Sequence, residues 1–107
     1  MTDTLKAIEY VVPSTLADVY TAPALTTTII SAFRLTNVST GTRTVDAYRL
    51  ISGSTKLNII PKSLSLLTGQ VYSDSDPITL GIGDKIQMAA SSSLSIHCVM
   101  SGIEHVA

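Results

Sequence analysis

His97 and Cys98 stand side by side, and a thiol next to an imidazole is the pairing of a cysteine nucleophile with its base. Their spacing argues against that chemistry. Leu94, Ile96, Cys98 and Met100 alternate with Ser95, His97, Val99 and Ser101, a period of two that predicts a strand. Adjacent residues of a strand point to opposite faces, so the two side chains diverge. Cys98 then reads as a small core hydrophobe and His97 as a surface or interface residue. The other imidazole, His105, completes no metal-ligand spacing, because a zinc site needs three or four convergent donors.

Asp74, Asp76 and Asp84 are the acids that a calcium site would gather. The segment departs from a calcium loop, since no glycine holds the sixth place and Lys85 stands where a bidentate glutamate should close the site. Asp and Ser ahead of Pro77 are also what a turn requires. Gly81-Ile82-Gly83 lacks the third glycine and the helix of a dinucleotide site, and reads as a turn that aims Asp84 and opens the next strand. Asn37-Val38-Ser39 matches a glycosylation acceptor and is taken as accidental, because MTDTLKAIEY has neither the basic nor the apolar region of a secretion signal. Arg34, Asp46 and Arg49 are expected to form a cross-strand ion pair. No G-x-S-x-G, H-E-x-x-H or phosphate loop occurs, and the paired acids of a glycosidase are not evident. The expectation is a protein that is not an enzyme, with no catalytic residues, no cofactor and no bound metal.

The elements that must position these residues are strands throughout. Ile86, Met88 and Ala90 alternate with Lys85, Gln87 and Ala89; Leu64 and Leu66 flank Ser65; Leu57 and Ile59 flank Asn58; Ile78, Leu80 and Ile82 mark another apolar face. Thr27 to Val38 is β-branched and leads through Ser39-Thr40-Gly41 into Thr42 to Ile51, which predicts a hairpin with Gly41 at positive φ. The alternation slips at Ile29-Ile30 and again at Leu50-Ile51, as a bulge or a second buried face would require. Turn signals fall at Ala22-Pro23, Ser52-Gly53-Ser54, Thr68-Gly69-Gln70, Ser75-Asp76-Pro77 and Gly83-Asp84, a sandwich-like spacing. Pro61 marks an edge or a bulge. The fold class is all-β, a single antiparallel β-sandwich of seven or eight short strands, jelly-roll or immunoglobulin-like. Residues 1–16 are expected as an extended N-terminal arm that reaches a neighbouring subunit, and 17–107 as the sandwich domain.

At 107 residues the chain is one domain whose folded accessible surface should be ~5,700 Å². Charged residues make up 14%, against roughly a quarter in an ordinary domain. Ile86 to Ile103 carries no charge at all, and Ser and Thr fill about a quarter of the chain, so the polar surface is mostly hydroxyl. Charge is the usual guard against strand edges pairing with other chains, so its scarcity points to surfaces covered by partners. A net charge of −1 provides no field for phosphate backbones or anionic lipid, and every apolar run is too short to span a bilayer. Neither nucleic acid nor membrane is expected as a partner. With a single cysteine and no secretion signal, synthesis in a reducing cytoplasm is expected.

The order of features carries a resemblance. Val19-Tyr20-Thr21-Ala22-Pro23, then Thr27 to Phe33, Leu35-Thr36-Asn37-Val38-Ser39, Leu80-Gly81-Ile82-Gly83-Asp84-Lys85-Ile86 and Ser101-Gly102-Ile103-Glu104 together resemble the small β-sandwich virion structural proteins of tailed bacteriophages. It covers most of the chain from Val19 onward. The resemblance implies a phage virion component made in the host bacterial cytoplasm, with capsid decoration or cement as the leading role. Its implied partners are further copies, as a homotrimer or another closed oligomer, and the major capsid or tail proteins. It implies no catalytic residues. The competing reading is a tail- or fibre-associated carbohydrate- or receptor-binding module, with Tyr10, Tyr20, Tyr48 or Tyr72 stacking on a sugar and Tyr72 beside Asp74 and Asp76 as the place to look; 5% aromatic residues and no Trp make such a platform thin. A third reading is a plain cytoplasmic β domain of unusual composition.

Overall fold

Alternating and β-branched segments become strands in the computed structural model, which describes residues 2–51 and 55–106. The strands are β1 (Thr2–Val12), β2 (Ala17–Thr21), β3 (Thr26–Asn37), β4 (Arg43–Ile51), β5 (Thr55–Asn58), β6 (Leu64–Leu66), β7 (Val71–Asp74), β8 (Ile78–Leu80), β9 (Lys85–Ala90) and β10 (Ile96–Val106). They form two packed antiparallel sheets. The front sheet has the order β1-β10-β3-β7, with β8 also on β3; the back sheet has the order β2-β9-β4-β5, with β6 also on β4. The all-β sandwich expected from the periodicity is the fold observed. Its accessible surface is 5765 Å² and its extents are 45 × 27 × 20 Å. Among the described residues no helix is long and apolar enough to cross a membrane.

The core lies between the sheets. Ile30, Leu35, Leu80, Ile96 and Met100 fill it from the front, and Val45, Leu66, Ile86 and Met88 from the back, each nearly or wholly inaccessible. The alternation in β9 and β10 is borne out from Ile86 to Met100, with two exceptions at the crossover. Leu94 is exposed and in the left-handed region, with φ of 64°, while Ser95 is buried and donates its hydroxyl to the Ser92 carbonyl at 2.6 Å. The chain needs that loop to leave the back sheet and enter the front one. The charge-free stretch from Ile86 to Ile103 is therefore two central strands in different sheets. Both have paired neighbours on each side, so neither presents an open edge that charge would have to guard.

Four further expectations need correction. Among the described residues the strands number ten, because β1, β2 and β7 arise where no strand was expected. Residues Thr2–Val12, expected as an arm, are extended but pair along their length with β10 of the same chain, anchored by buried Ile8 and Val12. The segments β3 and β4 are no hairpin, since they lie in opposite sheets and the Val38–Thr42 connection is a corner between layers. Among the described residues the positive-φ glycines are Gly69 and Gly83, so Gly41 serves by carbonyl position rather than by left-handed backbone. The Ser52-Gly53-Ser54 turn lies outside the described residues.

The slip at Ile29-Ile30 does mark a bulge. Ser101 pairs with Ala32 and Gly102 with Ile30, which leaves Ser31 as the extra residue of β3. In β4 the register with β9 is regular, so Leu50 and Ile51 reflect partial cover of both faces. Leu57 and Ile82, expected on core faces, are exposed on the back-sheet edge and the Gly81–Gly83 turn, and Ile60 takes the buried place.

Candidate functional site

The outward face of the front sheet collects the residues left over by the core. Antiparallel register arranges them in rows that run across the strands. Asp3, His105 and Thr27 form the first row, and Leu5, Ile103, Ile29 and Thr79 the second. Small residues Ala7, Ser101 and Ala32 make the third, at the bulge. Glu9, Val99, Arg34 and Ser73 make the fourth, and Val11, His97, Thr36 and Val71 the fifth. Leu5 is 84% exposed, Ile29 45% and Ile103 43%, an aliphatic row held out in water by three adjacent strands. Shallow depressions run along this face, one lined by Asp3, Thr27, Ile29, Ile103 and His105, another by Leu5, Ala7, Ser31 and Ser101.

The outward face of the back sheet differs in kind. Asp18 accepts from Lys85 Nζ at 2.9 Å and Gln87 Nε2 at 2.7 Å, and these bonds hold its carboxyl below the ordinary carboxylate range. Lys56 Nζ lies 5.6 Å from the centre of the Tyr48 ring. The amide of Ser63 donates to Asp46 Oδ1 at 2.8 Å. That face is a network of charge and hydrogen bonds suited to water. The front face carries six exposed aliphatic side chains, Leu5, Val11, Ile29, Val71, Val99 and Ile103.

The residues considered for chemistry separate from one another. Cys98 is buried and His97 exposed on opposite faces of β10, so no dyad forms, and burial pushes the Cys98 thiol up to about 12. His105 Nδ1 bonds Asp3 Oδ1. Thr27 shares their row, yet no hydrogen bond among the described residues joins it to His105. Asp74 Oδ1 accepts from the Asp76 amide at 2.8 Å, an Asx turn ahead of Pro77, while Asp84 lies elsewhere. Among the described residues no three of His, Cys, Asp and Glu gather into a group able to hold a metal ion.

Asp84 is nearly inaccessible; its Oδ2 accepts from Arg49 Nη2 at 3.0 Å and from the Gly81 amide at 2.9 Å. The Gly81–Gly83 turn thus aims Asp84 as expected. The ion pair expected among Arg34, Asp46 and Arg49 is absent, because Arg34 is in the front sheet and Arg49 and Asp46 have found Asp84 and Ser63 in the back.

Asn37 is wholly inaccessible and cannot accept a glycan in this fold. Its Nδ2 donates to the carbonyls of Gly41 at 2.9 Å and Leu66 at 2.8 Å, and its Oδ1 accepts from the Ser39 amide and hydroxyl. It builds the corner that carries the chain from the front sheet to the back. Tyr20 makes another polar tie between the layers. Its hydroxyl donates to Glu104 Oε2 and lies 2.8 Å from Thr28 Oγ1; burial, then the Glu104 neighbour, push the phenol up to about 12. Tyr10 and Tyr72 also pack against the core, which leaves Tyr48 as the outward tyrosine. The stacking platform considered for a sugar is therefore not assembled at Tyr72.

Sequence reasoning missed the face itself. Its signal lies in the outward parity of Leu5, Val99 and Ile103, readable only once β1 is known to pair with β10.

No protein-family model matches the chain, and no curated protein matches it. Solved structures do share its fold. A Bacillus endospore appendage protein, from a family described as disulfide-linked pili, superposes with a TM-score of 0.61 at 15% identity, over 98% of this chain and 87% of that one. A chain of the IBDV viral particle, an icosahedral virus, superposes with a TM-score of 0.51 at 8% identity. It is aligned over 95% of this chain but 30% of the viral one. At these identities the likeness is one of architecture: the chain has a β-sandwich fold that also occurs in an appendage subunit and in a virus particle.

Proposed function

We propose that this protein is a non-enzymatic structural subunit that assembles with further copies of itself in a particle or surface appendage. The observation that carries the reading is the contrast between the two outward faces. One is a hydrated charge network, and the other holds six aliphatic side chains in water across four strands. The aliphatic part of that face is desolvated at low cost, which suits repeated contact between subunits. The fold neighbours support the same reading, since both belong to assemblies. The disulfide linkage named for the appendage family does not carry over, because the one cysteine here is buried.

Within that reading, decoration of a phage capsid is the finer role we propose, on the order of motifs from Val19 onward. It is tested by comparing particles that carry the protein with particles that lack it. Loss of resistance to heat and osmotic shock is the expected result, and equal resistance would remove the cement role.

A further inference from the structure

We propose that the outward face of the front sheet pairs with the same face of a second copy, about a two-fold axis running along β10. The proposal rests on the assembly reading above and adds the surface, the symmetry and the contacts. In the fourth row, Glu9 on β1 and Arg34 on β3 stand on either side of Val99. Both are exposed, and neither joins an ion pair among the described residues. Neighbouring strands lie ~4.8 Å apart, so the opposite charges flank β10 at nearly equal distances.

A two-fold axis parallel to β10 and above Val99 exchanges the two flanks and keeps the position along the strand. It sets Glu9 of each copy over Arg34 of the other, with Val99 against its own counterpart. The same operation sets Leu5 over Ile29 and Ile103 over Ile103 in the second row. An axis across the strands through that same row would instead set Glu9 against Glu9 and Arg34 against Arg34. The charges therefore choose the axis, and they choose a closed pair whose two halves are the same surface.

Five rows, two residues apart, on the three strands that the axis superposes, β1, β10 and β3, span ~480 Å² of flat sheet. Side-chain relief raises this, and the contact stays below the ~800 Å² per partner of a standard interface, in the range of small, weaker pairs. Its composition fits, with an apolar centre and a few charges placed to set the register.

The test uses the full chain and exchanges the two charges, with native mass spectrometry and light scattering as readouts and circular dichroism as the check of folding. Wild type is expected as a pair. Glu9→Arg faces arginine with arginine in both halves of the pair, and Arg34→Glu faces glutamate with glutamate, so each is expected to weaken pairing by roughly a hundredfold. Mixed in equal amounts, the two variants are expected to form the mixed pair in preference to either self-pair, because every contact then joins opposite charges. The double variant Glu9→Arg with Arg34→Glu is expected to pair like wild type, which separates a lost contact from a lost fold. If the single variants associate as wild type does, or if the mixture shows no preference, the face and axis are wrong while self-assembly stands. A wild-type chain that is monomeric at every concentration overturns both.

Discussion

Asn37 commits its whole side-chain amide to the corner between the sheets, with two carbonyls accepting from its nitrogen and two Ser39 groups donating to its oxygen. Asn37→Ala leaves the buried Leu66 carbonyl without its donor and the Gly41 carbonyl with the Ser39 hydroxyl in its place. The expected loss is about 2–3 kcal/mol, measured by urea unfolding, and Asn37→Asp should lose more because a carboxylate would face both carbonyls. A variant within 0.5 kcal/mol of wild type, about the scatter of surface changes, would mean that the corner is held by something else. Cys98 gives a second prediction at this scale. Its folded-state pKa, pushed to about 12 from 9.0 by burial, lies above the unfolded value. The stabilisation from the neutral thiol is thus whole below pH 9 and is lost as pH rises towards 12. Tyr20, pushed to about 12 from 10.0, adds its own loss over the upper part of that range. Stability should fall by on the order of a few kcal/mol between pH 9 and 12. Cys98→Ala should flatten the first part of the slope in denaturant titrations run at each pH; an unchanged slope would contradict the assignment.

At the scale of elements, the join between β10 and β3 is the most constrained. A Cβ on Gly102 would come within 2.2 Å of the Ile29 carbonyl oxygen and 3.0 Å of Ile30 Cα, because the bulge at Ser31 brings the β3 main chain against β10. Gly102→Ala must move backbone, and should cost about 2–3 kcal/mol. Gly69→Ala is the control: its φ is 75° and nothing lies within 4 Å, so it should lose only about 1 kcal/mol through backbone strain. Calorimetric melting of both variants checks the order, and equal losses would show that packing at the bulge is not the cause. The bulge is also where the sequence was partly legible. Two isoleucines in succession broke the alternation and announced an irregularity in β3, and the periods of β9 and β10 marked Ile86, Met88, Ala90, Ile96, Cys98 and Met100 as inward. What could not be read was which strands join. Val38–Thr42 has the composition of a hairpin turn, but the buried Asn37 amide turns it into a corner, and that depends on a Leu66 carbonyl 29 residues away.

The whole molecule divides its outward surfaces by chemistry. The back sheet keeps Asp18, Lys85, Gln87, Lys56 and Tyr48 in a hydrated network, while the front sheet carries its aliphatic rows on β1, β10, β3 and β7. The scarcity of charge in the sequence pointed to covered surfaces, and the fold gives much of that scarcity a different origin. Ile86 to Ile103 lies in two central strands, whereas the aliphatic outward face draws half its aliphatic residues from β1 and β3, which composition alone could not bring together. β1 reads as a polar segment because its outward residues mix charge with Leu5, Ala7 and Val11, and only its pairing with β10 reveals the common face. The central claim is that this face is buried between copies of the chain. Its most direct test is the mass of the purified protein by light scattering after size exclusion, over a dilution series. Twice the 11.3 kDa of one chain, or a larger even multiple, falling on dilution, is expected; a mass of one chain at every concentration would contradict burial of this face.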